Sequence, residues 1–244
     1  MMYLFQEIFY RPILNLLVFL YNIIPGHDLG LAIILLTLVI KLILHPFSLQ
    51  SLKSQKGLQD IQPKINKLKL QYKDDKQGLA KATMDLYKEH KINPFSSCLP
   101  LLIQLPFLIA VYQVFRDGLA NKLDLVYPFV YKPELINAFS FGFLDLSKPN
   151  IVLAVLAGAA QFWQAKTMMA KAPKKEESET KEVDISAMMN KQMLYLMPAL
   201  TVFIGISLPG GLTLYWFVLT LLTALQQWIM FKKKEDPLLI NEVK

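Results

Sequence analysis

Long apolar runs alternate with polar stretches along this chain, and five of the runs are long enough to cross a membrane as helices. A spanning helix needs about 20 mostly apolar residues, because the hydrocarbon layer is roughly 30 Å thick and each residue rises about 1.5 Å. The pattern predicts spans at 29–49, 94–115, 151–170, 192–208 and 212–231. We therefore expect an all-α integral membrane protein built on a five-helix transmembrane bundle.

The N-terminal run, residues 1–28, is apolar but carries one polar stripe. Four polar residues follow one another at offsets of 4, 4 and 7, which places them on one helical face: Glu7, Arg11, Asn15 and Asn22. A helix from Pro12 to about Ile24 is too short to cross the bilayer, so we expect an amphipathic helix lying in the outer interface. An uncleaved signal anchor is the alternative, although the run has no basic start and no small-residue cleavage site.

Residues 50–93 carry apolar seams on otherwise charged helices. The first seam is Leu58, Ile61, Ile65 and Leu68, and the second is Leu79, Thr83 and Leu86. Both follow helical spacing. The polar break at 74–78 contains a glycine and is typical of a tight connection, so the pattern predicts an antiparallel helical hairpin.

The other connections are polar or mixed. We expect an outer loop at 116–150, whose aromatic patch of Phe139, Phe141 and Phe143 packs at the membrane interface. Residues 171–191 alternate lysine with glutamate, which predicts a mobile cytoplasmic loop. Residues 232–244 form a short cytoplasmic tail.

The positive residues are divided unequally between the two sides of the predicted bundle. Lysines number 10 in 51–93, 6 in 166–191 and 4 in 232–244, whereas the opposite side holds only Arg11, Arg116, Lys122, Lys132 and Lys148. Cytoplasmic loops carry the excess of lysine and arginine, so the N-terminus is predicted outside and the C-terminus inside. The hairpin lysines fit two interpretations equally well: a solvated face, or a surface for ribosomal RNA or anionic headgroups.

Composition agrees with a membrane protein and removes most enzyme classes. The chain is 54% hydrophobic and 18% charged, whereas soluble domains are roughly 45–50% apolar and about 25% charged. It has no phosphate-binding glycine loop, no zinc pair of histidines and no nucleophile elbow, and its single cysteine, Cys98, excludes an internal disulfide. We therefore expect no enzymatic activity, cofactor or metal.

Lys41 lies inside the first predicted span, where a charge is expensive. Insertion scales put a central lysine at roughly 2.5–3.5 kcal/mol, so such a residue is expected to face a wet cavity or a partner. Snorkelling is the alternative, but Lys41 lies about 13 Å from the inner end of the span, further than a lysine stem usually reaches. The polar residues Gln104, Gln161, Gln164 and Thr220 also lie at membrane depth. Each lines the same cavity or makes an interhelical hydrogen bond.

Several stretches resemble the YidC-type insertases of the YidC/Oxa/Alb superfamily. They are "GLAIILLTLVIKLILHPFSLQSLKSQKGLQDIQPKI", "YKEHKINPFSSCLPLLIQLPFLIAVYQVF", "FLDLSKP" and "LPGGLTLYWFVLTLLTALQQ", and together they extend the resemblance over residues 12–231. Several motifs in one order are far more specific than any one of them.

The resemblance implies an ATP-independent insertase and chaperone for small membrane proteins in the bacterial plasma (inner) membrane. Its substrate groove would be polar, open to the cytoplasm and lined by Lys41, Gln104, Gln161, Gln164, Trp216 and Thr220. Family members usually have arginine where this chain has Lys41, so the charge is kept but the fork of donors is not. The implied partners are nascent membrane proteins, the Sec translocon, a weakly or transiently bound ribosome and the lipid bilayer, with no specific nucleic-acid sequence.

Two other functions fit parts of the pattern. A small transporter or channel would use Lys41 as a counter-ion, but the chain has no internal repeat of the kind transporters usually show. A structural assembly factor would hold other subunits through the hairpin, and Lys41 would then matter little.

Overall fold

The computed structural model describes residues 2–73, 75–93, 99–118, 123–169 and 192–232, and these are mostly helical. The helices are α1 (Met2–Phe5), α2 (Arg11–Ile23), α3 (Leu29–Ile43), α4 (His45–Gln71), α5 (Lys76–Glu89), α6 (Leu99–Gln113), α7 (Ile151–Met169), α8 (Met197–Gly205) and α9 (Gly210–Lys232). Short π-helical segments at Gln6–Tyr10, Val114–Gly118 and Gln192–Leu196 adjoin α2, α6 and α8. This composition agrees with the predicted all-α class.

One helix among the described residues is long and apolar enough to cross a membrane unaided, Gly210–Phe231, with a mean hydropathy of 1.4. The pair Leu29–Ile43 and His45–Gln71 meets the same test only when taken together, and it is bent by 67°. The predicted span 94–115 begins outside the described residues. The whole predicted loop 171–191 and all but the first residue of the predicted tail 232–244 also lie outside them. The count of five spans therefore stays a prediction.

The bend at Leu44 changes the predicted first span. We expected one helix over 29–49, but α3 ends at Ile43 and α4 begins at His45. Pro46 lies in the first turn of α4, where its missing N–H costs no hydrogen bond. Because proline disfavours a continuing helix before it, the chain turns here and the charged helix leaves in a new direction.

The core lies where α2, α3, α6 and α9 meet. α9 packs against α7 and α3, α8 against α7, and α2 against α3, while α4 contacts α5 and α6. The largest fully buried side chains in this core include Leu14, Leu17, Ile33, Leu36 and Tyr215. Burial of their apolar surface holds the helices in place around the bend.

The polar stripe of the N-terminal segment forms hydrogen bonds with the predicted outer loop. Arg11 Nε and Asn15 Nδ2 each donate to the backbone oxygen of Leu125 at 3.2 Å, and Asn22 Nδ2 donates to the oxygen of Tyr131 at 2.6 Å. The helix also begins earlier than Pro12, since residues from Met2 onwards are helical. The predicted polar face is therefore engaged by the outer loop, and placement in the interface plane stays a prediction.

A small β-hairpin, absent from the sequence prediction, lies in the predicted outer loop. β1 (Phe139–Ser140) pairs antiparallel with β2 (Leu144–Asp145), with Phe139 opposite Asp145. Gly142 has φ +79° in the connecting turn, a conformation that favours glycine. Phe143 at the turn is 80% exposed.

Asp28 joins this β-hairpin to the start of α3. Its carboxylate caps the helix by accepting from Leu31 N at 3.0 Å, and it also accepts from Phe141 N at 2.6 Å and from the Ser140 hydroxyl. Burial opposes ionisation, but these hydrogen bonds and one from Gly30 N outweigh it and hold the pKa of Asp28 below its usual value.

Replacing Asp28 with alanine is expected to cost about 1–2 kcal/mol of stability through the lost cap. The Asp28 pKa is lower in the folded state than in the unfolded state. Its stabilisation is therefore fully present above the ordinary aspartate pKa of about 4 and is lost as the pH falls through the lower folded value. Thermal unfolding in detergent at neutral and acidic pH measures this, and Asp28→Asn, which keeps an acceptor oxygen, is the control. An alanine variant as stable as the native chain at neutral pH would contradict the role of the cap.

Candidate functional site

Lys41 lies in the last turn of α3 and reaches across to α9. Its Nζ donates to Thr223 Oγ1 at 2.9 Å, and the Thr223 hydroxyl donates to the backbone oxygen of Leu219 at 2.7 Å. An ammonium has three donors. Among the described residues no second acceptor bonds to Lys41, so two donors remain for water or a bound segment.

A cavity of about 310 Å³, with both polar and apolar side chains in its walls, surrounds this lysine. Its walls come from α3, α4, α6, α7 and α9. The lining residues are Lys41, Leu44, Phe47, Ser48, Leu52, Gln55, Ile103, Gln104, Gln164, Trp216, Leu219, Thr220, Thr223, Gln226 and Gln227. Lys41 is the only charged residue among these described lining residues, so the cavity has one positive charge that no lining carboxylate neutralises. It is large enough for several water molecules or a short polar segment.

The cavity brings together five of the six residues predicted to form a groove: Lys41, Gln104, Gln164, Trp216 and Thr220. Gln104 already has a partner, because its Nε2 donates at 2.6 Å to the hydroxyl of Tyr215, whose side chain is fully buried. That bond fixes the position of the amide at the cavity wall.

Gln161 is the sixth predicted residue, and the structure does not bring it into the cavity. Its Oε1 accepts a hydrogen bond from the Thr201 hydroxyl, which joins α7 to α8. Residues three apart on a helix point in directions about 60° apart, so Gln161 faces α8 while Gln164 faces the cavity. The interhelical hydrogen bond, one of the two interpretations of this residue, is the one observed.

Five polar lining residues were missed: Ser48, Gln55, Thr223, Gln226 and Gln227. Two of them, Thr223 and Gln227, extend a stripe on α9, in which positions 216, 220, 223 and 227 follow one another at offsets of 4, 3 and 4. Helical spacing alone could have found these. Ser48 and Gln55 lie on α4, and only the bend at Leu44 returns that helix to the cavity.

Comparison with known proteins identifies the family. Residues 19–237 match the family described as 60Kd inner membrane protein. A "Membrane protein insertase YidC" from Fusobacterium nucleatum is 35% identical over 228 residues, which cover 92% of this chain and 97% of the relative. The chain belongs to the YidC family. This confirms the resemblance found in the sequence, and the family description agrees with the predicted membrane location.

YidC relatives differ in length. One from Clostridium tetani is 40% identical over 87% of this chain and 85% of its own length. Another from Francisella tularensis subsp. novicida is 39% identical over 82% of this chain but only 32% of its own length. The region that matches the family, residues 19–237, includes every residue that lines the cavity.

The described residues that line the cavity include no histidine, cysteine, aspartate or glutamate, the side chains that usually bind metal ions in proteins. In the part of the chain that the structure describes, no group of three or more histidine, cysteine, aspartate or glutamate side chains could hold a metal ion. What the cavity offers is one ammonium, several amides and hydroxyls, and an indole. Such groups can donate and accept hydrogen bonds.

Proposed function

We propose that this chain is a membrane protein insertase and chaperone. It moves short hydrophilic segments of small membrane proteins across the bilayer and their apolar helices into it, alone or with the Sec translocon. Relatives that match over most of their own length and of this chain are named membrane protein insertases, which supports the activity. The observation that carries the mechanism is the cavity between helices, where Lys41 is the single cation among the described lining residues and several amides and hydroxyls lie beside it.

The main cost of moving a hydrophilic tail across a bilayer is removing it from water. A wet cavity part-way through the membrane shortens the distance over which the tail is dehydrated. Lys41 attracts acidic or polar groups of the tail, and the amides of Gln104 and Gln164 exchange hydrogen bonds with them. The apolar helix that follows moves into lipid, and its burial drives release without ATP.

We propose that the chain crosses a bacterial inner membrane five times, with its N-terminus outside and its C-terminus in the cytoplasm. The lysine distribution supports this orientation. The cavity then opens towards the cytoplasm, because Ser48 and Gln55 lie on the helix that continues into the lysine-rich hairpin. A weakly or transiently bound ribosome would approach that side, with no preference for a nucleic-acid sequence.

Liposomes holding only this protein are expected to insert a small membrane protein with a short outer tail, because the cavity supplies hydration without an energy source. Protease protection of the tail measures insertion, and protein-free liposomes of the same lipids are the control. Release of a trapped ion or dye is followed in the same vesicles.

The outcomes separate the proposed function from its rivals. Insertion above the protein-free level without leakage supports the insertase. Leakage without insertion would favour the transporter or channel. The absence of both would favour an assembly factor that acts through the hairpin.

A further inference from the structure

The polar stripe on α9 extends beyond Lys41. Thr223, which accepts the hydrogen bond from Lys41, is followed one turn later by Gln227, about 6 Å further along the helix. Both line the cavity. A segment that enters from the C-terminal end of α9 therefore meets Gln227 before it reaches the ammonium.

Gln227 is buried with an unused acceptor. Its side chain is 2% exposed, and its Oε1 accepts no hydrogen bond from any residue that the structure describes. A buried amide oxygen without a donor is costly, and buried polar groups in proteins are nearly always paired. An apolar residue of similar size would avoid this cost. The unused acceptor at a cavity wall is therefore available to a donor that enters the cavity with water or with a bound molecule.

We propose that Gln227 is a specificity-determining residue that accepts a hydrogen bond from a neutral polar side chain of the incoming segment. This rests on the proposed insertase function. Carboxamides and hydroxyls have the N–H or O–H donor that Gln227 requires, and their oxygens can also accept from Lys41. A carboxylate can accept from Lys41 but has no donor for the Gln227 oxygen. The cavity is thus built to receive segments rich in asparagine, glutamine, serine or threonine, as well as acidic ones.

The test uses two substrates that differ only in the outer tail, one carrying asparagines and the other aspartates at the same positions. Gln227→Met keeps the volume and removes the acceptor, so insertion of the asparagine tail should fall about fivefold, the loss expected for one hydrogen bond. Insertion of the aspartate tail should change less than about twofold. Gln161→Met is the matched control, because Gln161 bonds to Thr201 outside the cavity.

A second variant, Gln227→Glu, keeps acceptor oxygens and adds a negative charge. It should retain insertion of the asparagine tail and lower that of the aspartate tail, because like charges repel. A merely structural role would lower both tails together in both variants.

Equal loss for the two tails, or no loss for either, would overturn the role of Gln227 while leaving the insertase intact. If the native protein inserted neither tail, the insertase function and this inference would fail together.

Discussion

Replacing Lys41 with alanine is expected to lower the insertion of a substrate with an acidic outer tail by about 10- to 100-fold, the range for losing a hydrogen bond to a charged group. Lys41 is the only cation among the described lining residues, so no neighbour takes over its charge. Lys41→Arg should keep most of the activity, because the positive charge remains and a guanidinium still donates to Thr223.

The measurement is protease-protected insertion into liposomes, with the native chain, Lys41→Ala and Lys41→Arg compared at equal protein content. Lys88→Ala is the matched control, since it removes one positive charge from an exposed side chain that pairs with Asp85 far along the hairpin. Equal activity of the alanine and arginine variants on the acidic tail would eliminate the electrostatic role. A neutral tail should be affected much less than the acidic one.

The second large effect is expected at Gly158, where α7 lies against α8. A Cβ atom at this position would overlap the side chain of Val202 and lie 3.0 Å from the backbone oxygen of Pro198. The backbone cannot yield as a flexible side chain can. Gly158→Leu should therefore push the helices apart and cost about 1–3 kcal/mol, which corresponds to a loss of roughly 5 °C in Tm.

Ala159→Leu is the control for this substitution, because Ala159 is exposed on the other face of the same helix. Thermal unfolding of the purified variants in one detergent compares the two changes directly. The Tm values of the two variants should differ, and that of the Ala159 variant should be close to that of the native chain. A Gly158 variant as stable as the Ala159 variant would show that α7 and α8 do not need this close approach.

The features of the fold and of the site that depend on one segment of the chain could be predicted from the local sequence. Helices α7 and α9 correspond closely to the apolar runs 151–170 and 212–231, because length and hydropathy act within one segment. Lys41 could be identified because a charge among apolar residues has few stable surroundings other than a wet cavity or a partner.

Contacts between distant segments could not be predicted. Asp28 caps α3 and also binds Ser140 and Phe141, more than a hundred residues further on, and the sequence pattern predicts neither partner. The polar stripe through Asn15 could be recognised, but the pattern does not reveal that Leu125 would be its partner. Such pairings depend on how helices pack, which single-segment periodicity does not encode.

Gln161 and Gln164 show the same limit at the site. Both are glutamines in the predicted span 151–170, and nothing in their local sequence separates a cavity-lining residue from an interhelical one. The rotation of α7 against its neighbours makes that choice. The rotation of α7 depends on how small residues such as Gly158 pack against α8. It can therefore be seen only in the three-dimensional structure.

The bend at Leu44 determines how far a rotation of the hairpin would move the cavity wall. α4 has 27 residues and is therefore about 40 Å long, with its N-terminal end at the cavity. A rotation of about 10° around that end would carry the far end through about 7 Å, while Ser48 would move only about 1 Å. Under such a rotation the helix would act as a lever with its fulcrum beside Lys41. The cavity wall at Ser48 would stay almost still, whereas Gln55, about 16 Å from the bend, would move by about 3 Å.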